Sequence, residues 1–257
     1  MKSKNHLKIG KLIKNLSLSI CCILLFSSMS SEKKRTLEKG HFIFNFQEID
    51  EPVIADLSKA LEDNYDRILV ALKYPTDFKT RVNVYPDIAT YHKEIGFPNW
   101  PDWAIGSVYK GTIDITSPRN PGPKHNYTSI INSIIHEFVH VVTEKKNENM
   151  KVTWLYEGVA GYLADNIDTT KQNMKKVLNG KIPQINDMNS NKILFSNNYA
   201  LEYSKTIVEF IVKKYGNDKI SLLIDNSKTS VDFQKIFSIT EEEFQHQWEN
   251  YLLLTYK

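Results

Sequence analysis

Apolar and polar positions follow a short, strand-like period in the first half of the chain and a helical one in the second. His41-Phe42-Ile43-Phe44-Asn45-Phe46, rich in aromatic residues, predicts a strand after a charged linker over Glu32–Lys39. From Ile49 to Lys73 the residues Val53, Ile54, Leu57, Leu61, Ile68, Leu69 and Leu72 recur at the spacing of one helix face. Arg81–Tyr85 alternates polar with apolar side chains, as a strand with one wet face does, and Pro86 ends it. Thr90–Ile95 predicts a short helix, and Pro98 and Pro101 keep Gly96–Ala104 irregular. Ser107–Ile115 reads as extended, and Ser117–Pro123 as a loop dense in Pro and Gly. Beyond it, Tyr127–Lys145, Trp154–Asp165, Tyr199–Tyr215, Lys219–Asn226 and Glu241–Tyr256 all carry helical periodicity. The expectation is an α+β chain, with a small mixed or antiparallel sheet lobe over 31–123 and a helical lobe over 124–257.

Charge separates the first thirty residues from the rest. The net charge is +3, but residues 1–30 hold Lys2, Lys4, Lys8, Lys11 and Lys14 and no acid, which leaves 28 basic against 30 acidic residues beyond them. A body so nearly neutral has no general electrostatic drive toward nucleic acid. The lysines precede the mostly apolar run Leu16–Phe26 and the small, polar Ser27–Ser31, the layout of an export signal. The run is short against the roughly 20 apolar residues a membrane span needs. A secreted or extracytoplasmic protein is therefore expected, held at the membrane only where the leader stays uncleaved. Both cysteines, Cys21 and Cys22, lie in this leader, so disulfides and thiolate chemistry are excluded from the body.

Residues 136–140 read His-Glu-Phe-Val-His. On a helix, positions i and i+4 share a face, so the imidazoles of His136 and His140 reach one ion, while Glu137 points into the same cleft as a base. Ser129, Asn132, Ser133, His136, Glu137, His140 and Thr143 form one polar stripe on a helix otherwise covered by Ile, Phe and Val. Such a helix is buried, and its polar stripe must face something polar. The structural alternative is a pair of core histidines bonded to nearby backbone. Catalytic zinc takes three protein ligands, and Glu157, in the next helical segment, is the obvious third; Glu144 and Asp165 compete less well. Gly158, Ala160, Gly161 and Ala164 would let that second helix approach the first closely.

With Trp154-Leu155-Tyr156-Glu157-Gly158-Val159-Ala160-Gly161-Tyr162 added to the first motif, the chain resembles the gluzincin metallopeptidases. Among them it looks like the small peptidase MA-like proteins, related to thermolysin and to the large zinc aminopeptidases. The likeness spans roughly residues 80–225, and Tyr199–Gly216 matches these proteins' tyrosine-started helix. The resemblance implies a zincin-like fold with the active-site helix between two lobes. It also implies a Zn2+ ion on His136, His140 and Glu157, Glu137 as catalytic base, and an oxyanion-stabilising residue matched by Tyr203 or Tyr199. Two departures matter. Gly161 stands where thermolysin has an acid, and the aminopeptidases' Gly-x-Met-Glu-Asn motif has no counterpart; the comparable stretch here is Lys110–Ile115.

Without that motif's glutamate, an endopeptidase acting on peptide or protein substrates is expected rather than an aminopeptidase. Gly111, Thr112 and Ile113 would pair with an extended peptide beside the cleft. The rival readings are a non-catalytic zincin-fold binding protein at the cell surface and a metal-dependent hydrolase of a non-peptide bond. For the latter, Phe97, Trp100 and Trp103 form either a carbohydrate platform or a plug that packs their loop into the core.

Overall fold

Alternating burial in a single strand organises the first half. A computed structural model describes residues 33–75, 77–164, 167–178, 181–189 and 199–257. Strand β2 (Phe42–Gln47) buries Phe42, Phe44 and Phe46 and leaves the residues between them half-covered. Helix α1 (Glu51–Ala71) follows, with Pro52 in its first turn and Val53, Ile54, Leu57, Leu61, Ile68 and Leu69 buried along one side. β3 (Thr80–Tyr85) then pairs parallel with β2, the α1 crossover making that direction possible. After the short helix α2 (Ile88–Glu94), β4 (Gly106–Tyr109) and β5 (Thr112–Thr116) form an antiparallel hairpin.

Two expectations fail here for local reasons. The charged stretch taken as a linker contains a strand, β1 (Lys34–Lys39), paired antiparallel with β2. Lysine, arginine and glutamate are natural on an edge strand, where they discourage further pairing. The run taken as one extended segment is two strands, because Lys110 (φ 49°) and Gly111 (φ 72°) turn the chain back in a two-residue hairpin. The strand order is β1-β2-β3-β5-β4, so β4 is an edge and β5 is interior. The sheet is mixed, as expected.

On one sheet face Phe42, Phe44, Val82, Val84, Ile113 and Ile115 join the core with α1 and α3 (Tyr127–Lys146). Phe138 of α3 meets Phe42 edge-on, with ring centroids 5.2 Å apart at 75°. The polar positions of the same strands form a ladder: Asn45 donates to Asn83 (3.0 Å), and Asn83 and Tyr85 both donate to Asp114 (2.8 Å each).

The helical half comprises α4 (Thr153–Ala164), α5 (Ile167–Val177), α6 (Ala200–Tyr215), α7 (Asp218–Asn226), α8 (Phe233–Phe237) and α9 (Glu241–Tyr256). α5 and α8 extend the expected set. Trp248 of α9, fully buried, donates to the Thr206 hydroxyl of α6 at 3.1 Å and so fastens the last helix to the bundle. The described residues belong to one compact unit. The predicted leader and Asp165 lie outside the described residues. Among the described residues no helix is long and apolar enough to cross a membrane.

Candidate metal centre

Helix α3 carries the first motif, and its start is specified locally. Asn126 caps it by accepting the Ser129 N–H at 2.9 Å, while the Ser129 hydroxyl accepts the Asn126 N–H at 2.9 Å, a reciprocal capping box. Ser129 therefore serves the helix end. At the other end the Asn147 side chain donates to the carbonyls of Ile224 (2.6 Å) and Ser227 (2.9 Å), docking α3 on α7 and its following turn. Ile130, Ile134, Phe138, Val141 and Val142 are fully buried. The helix is thus held along its length, and the stripe with His136, Glu137 and His140 faces a cleft of about 1100 Å³.

α4 brings Glu157 to that stripe. Its carboxylate Oε2 lies 3.2 Å from His136 Nε2 and 3.5 Å from His140 Nε2. The three residues each offer one ligand atom, all within 4.8 Å of one another, so they can hold a metal ion. Two neutral imidazoles and a carboxylate form a donor set that suits zinc. The two imidazole rings stand nearly perpendicular, with centroids 4.6 Å apart.

The charges are strongly coupled. Burial opposes ionisation of Glu157, but the charge of His140 and hydrogen bonds from His136 and His140 outweigh it and hold the carboxyl well below its ordinary range. Burial also opposes the His136 imidazolium. There the hydrogen bond and charge of Glu157, with the charge of Glu137, prevail over burial and over Lys205, and the pKa is raised. A site that keeps a carboxylate ionised beside two imidazoles stabilises positive charge, and a divalent cation is positive charge of that kind.

Tyr156 settles the role of Glu144. Its ring stacks on His140 at 3.8 Å and 9°, and its hydroxyl donates to Glu144 at 2.8 Å. Glu144 is therefore a partner of Tyr156, one helical turn beyond the ligand-like trio. Burial and then the charge of Glu144 raise the Tyr156 pKa, so the phenol stays neutral.

The glycines of α4 act differently from expectation. A Cβ on Gly158 would stand 2.6 Å from the Ser204 carbonyl oxygen, and one on Gly161 would stand 2.5 Å from Lys205 Cγ. Their bare surface thus meets α6 rather than α3. In consequence Lys205, only 8% exposed, lays its stem over Gly161 and lines the cleft together with His136, Glu137 and Glu157.

Tyr203 does not reach this cleft. It is 2% exposed, packs edge-on against Trp248, and donates to the Val177 carbonyl at 3.4 Å. Two helical positions separate it from Lys205, which turns it about 200° away from the cleft-facing side. Tyr199 is exposed at the start of α6 and is not among the cleft-lining residues; the α6 side is lined by Leu201, Glu202 and Lys205.

Gly111, Thr112 and Ile113 are likewise not placed to pair with a peptide. Thr112 and Ile113 are bonded to β3 on one side and β4 on the other, Ile113 is fully buried, and Gly111 is in the hairpin turn. The sheet edge beside the cleft is β4, and all four of its residues line it. A Cβ on Gly106 would come within 2.9 Å of Glu137 Oε1. Gly106, Lys205 and Tyr156 are among the cleft residues that the sequence reading does not single out. The turn pair Lys110-Gly111 is the sequence signal that could have pointed to β4. The aromatics Phe97, Trp100 and Trp103 do not fill the core; they line the same cleft, with Phe97 53% and Trp103 44% exposed.

A second cavity of about 870 Å³ adjoins the first, sharing Val108, Tyr109, Glu144 and Tyr156 with it. In comparisons with known proteins, the family model of the Peptidase MA superfamily matches residues 81–253, which include every residue of this cleft. No curated protein matches the chain.

Proposed function

Because the chain belongs to the Peptidase MA superfamily, a metallopeptidase group with the zincin-like α+β fold, we propose that it is an exported zinc peptidase cutting within peptide chains. The observation that carries this reading is the convergence of His136, His140 and Glu157 within 4.8 Å, in the cleft that also holds Glu137.

The residues divide the work by position. His136, His140 and Glu157 would hold the ion. Zinc bound by such a set supplies Lewis acidity, lowering the pKa of water and polarising a carbonyl. Glu137, on the same helix face and 8% exposed, takes the proton from the attacking water and passes it to the departing amine. Lys205 presents positive charge in the cleft wall and offsets the negative charge that grows on the carbonyl oxygen. The edge of β4 offers its backbone to an extended substrate, which fixes the scissile bond beside Glu137.

Internal cleavage is favoured by the shape of the cleft. A second cavity shares Val108, Tyr109, Glu144 and Tyr156 with it, which supports room for more chain than one terminal residue. Export is supported by the lysine-rich start and apolar run of residues 1–30. Cleavage-site mapping on folded and unfolded protein substrates tests the endopeptidase reading. Internal cuts support it, and release of single terminal residues alone would contradict it.

A further inference from the structure

One wall of the cleft has an aromatic surface that the metal group and Glu137 do not use. Phe97 stacks on Trp100 with centroids 4.9 Å apart at 14°, and Trp103 lines the same cleft. Phe97 and Trp103 remain 53% and 44% exposed. Looseness of the loop does not explain this. The Phe97 N–H donates to the His92 carbonyl (2.8 Å), Trp100 to Phe97 (3.0 Å) and Ala104 to Pro101 (2.9 Å). The buried His92 ring bonds the Ala104 carbonyl at 2.8 Å, and His125 bonds the Trp103 carbonyl at 3.0 Å. A tied loop that holds large apolar rings in water gives up the solvation gain of burying them. Contiguous exposed apolar surface of this kind marks a recognition site.

Its position says what is recognised. The loop runs directly into β4, whose first residue, Gly106, abuts Glu137. Trp103 stands three residues before Gly106, so its backbone lies within roughly 11 Å of that glycine. A peptide paired with the β4 edge would carry its side chains, at about 3.3 Å per residue, along the cleft that these rings also line. We propose that Phe97, Trp100 and Trp103 form a subsite for one large apolar side chain, on a substrate residue within three positions of the scissile bond. This rests on the peptidase reading, which it sharpens: the preferred substrates are peptides with an aromatic or large aliphatic residue there. Aromatic rings supply large contact area at low entropic cost, and the free β4 edge favours a peptide over a sugar as the occupant.

The test uses the full-length, zinc-loaded Glu137→Gln protein and a set of dye-labelled alanine-rich octapeptides with phenylalanine moved one position at a time. Binding is read by fluorescence anisotropy, and the register comes from mapping cuts made by the wild type. One position within three residues of the cut should bind at least about tenfold tighter than its alanine counterpart, equivalent to ~1.4 kcal/mol. Phe97→Ala with Trp103→Ala, both exposed positions, should flatten that profile while zinc content and Tm stay unchanged. A profile without a phenylalanine preference, or one that survives the double variant, overturns the subsite. Cleavage without preference would leave the peptidase reading standing. Preference lost in the double variant, with no peptide cut, would support the subsite and overturn the peptidase reading.

Discussion

Gly106 and Glu137 come so close that any side chain on the strand would displace the carboxylate, since a Cβ at position 106 would stand 2.9 Å from Oε1. The glycine is required here by proximity, for its backbone has no left-handed φ. Gly106→Ala should therefore move the base without touching His136, His140 or Glu157. A shift of about 1 Å in a catalytic group costs on the order of a hundredfold in rate. The expected result is a kcat lowered tenfold to a hundredfold (about), with zinc content unchanged. Steady-state kinetics beside metal analysis checks it.

Gly158 and Gly161 should respond differently to the same substitution. Gly158→Ala places a methyl 2.6 Å from a backbone oxygen of α6, which cannot yield locally. Overpacking of this kind costs about 1–3 kcal/mol, more than the roughly 1 kcal/mol gained by replacing a helical glycine. Thermal unfolding should show a lower Tm. Gly161→Ala meets the aliphatic stem of Lys205 instead, which can swing aside. Its Tm should fall less while kcat falls through the displaced lysine.

Tyr203 and Lys205 give the clearest contrast on α6. Tyr203→Phe removes a hydrogen bond to Val177 in the core, worth about 1 kcal/mol, and should leave kcat unchanged. Lys205→Met keeps the stem over Gly161 and deletes the charge, so kcat should fall about a hundredfold with KM nearly constant. Equal effects of the two variants on kcat would contradict the assignment.

Zinc-free protein should be most stable at mildly acid pH. Glu157 is held below its ordinary value of 4.5, so its contribution is present above 4.5 and lost as pH falls through the lower folded value. His136 is raised above 6.5, so its contribution is complete below 6.5 and lost as pH rises through the higher folded value. Tm after chelation should thus peak between the two. Zinc binding must displace the His136 proton, so affinity should climb with pH across that same raised value. A flat Tm profile in Glu157→Gln would identify the pair as the source.

The parts of the site that were legible in sequence are those that one helix face determines. His136, Glu137 and His140 sit within five residues, and their relation follows from 3.6 residues per turn. Glu157 was legible as an acid in the next, largely apolar helical segment. Lys205 was not, since its place depends on the rotational phase of α6 and on packing against Gly161, which lies on a different helix far away in sequence. Tyr203 was misplaced for the same reason. β1 was hidden by its charges, which suit an edge strand as well as a linker. The hairpin was hidden because Lys110-Gly111 sits inside a run that reads as one extended segment, so β4 could not be told from β5 as the edge beside the cleft.

The most direct measurement is zinc content and peptide cleavage on the full-length protein, beside Glu137→Gln and Glu157→Ala. About one zinc per chain, retained in Glu137→Gln and lost in Glu157→Ala, with cleavage abolished in both, is the result expected. A wild type that binds no zinc, or that cuts peptides as fast after Glu137→Gln, would contradict the account.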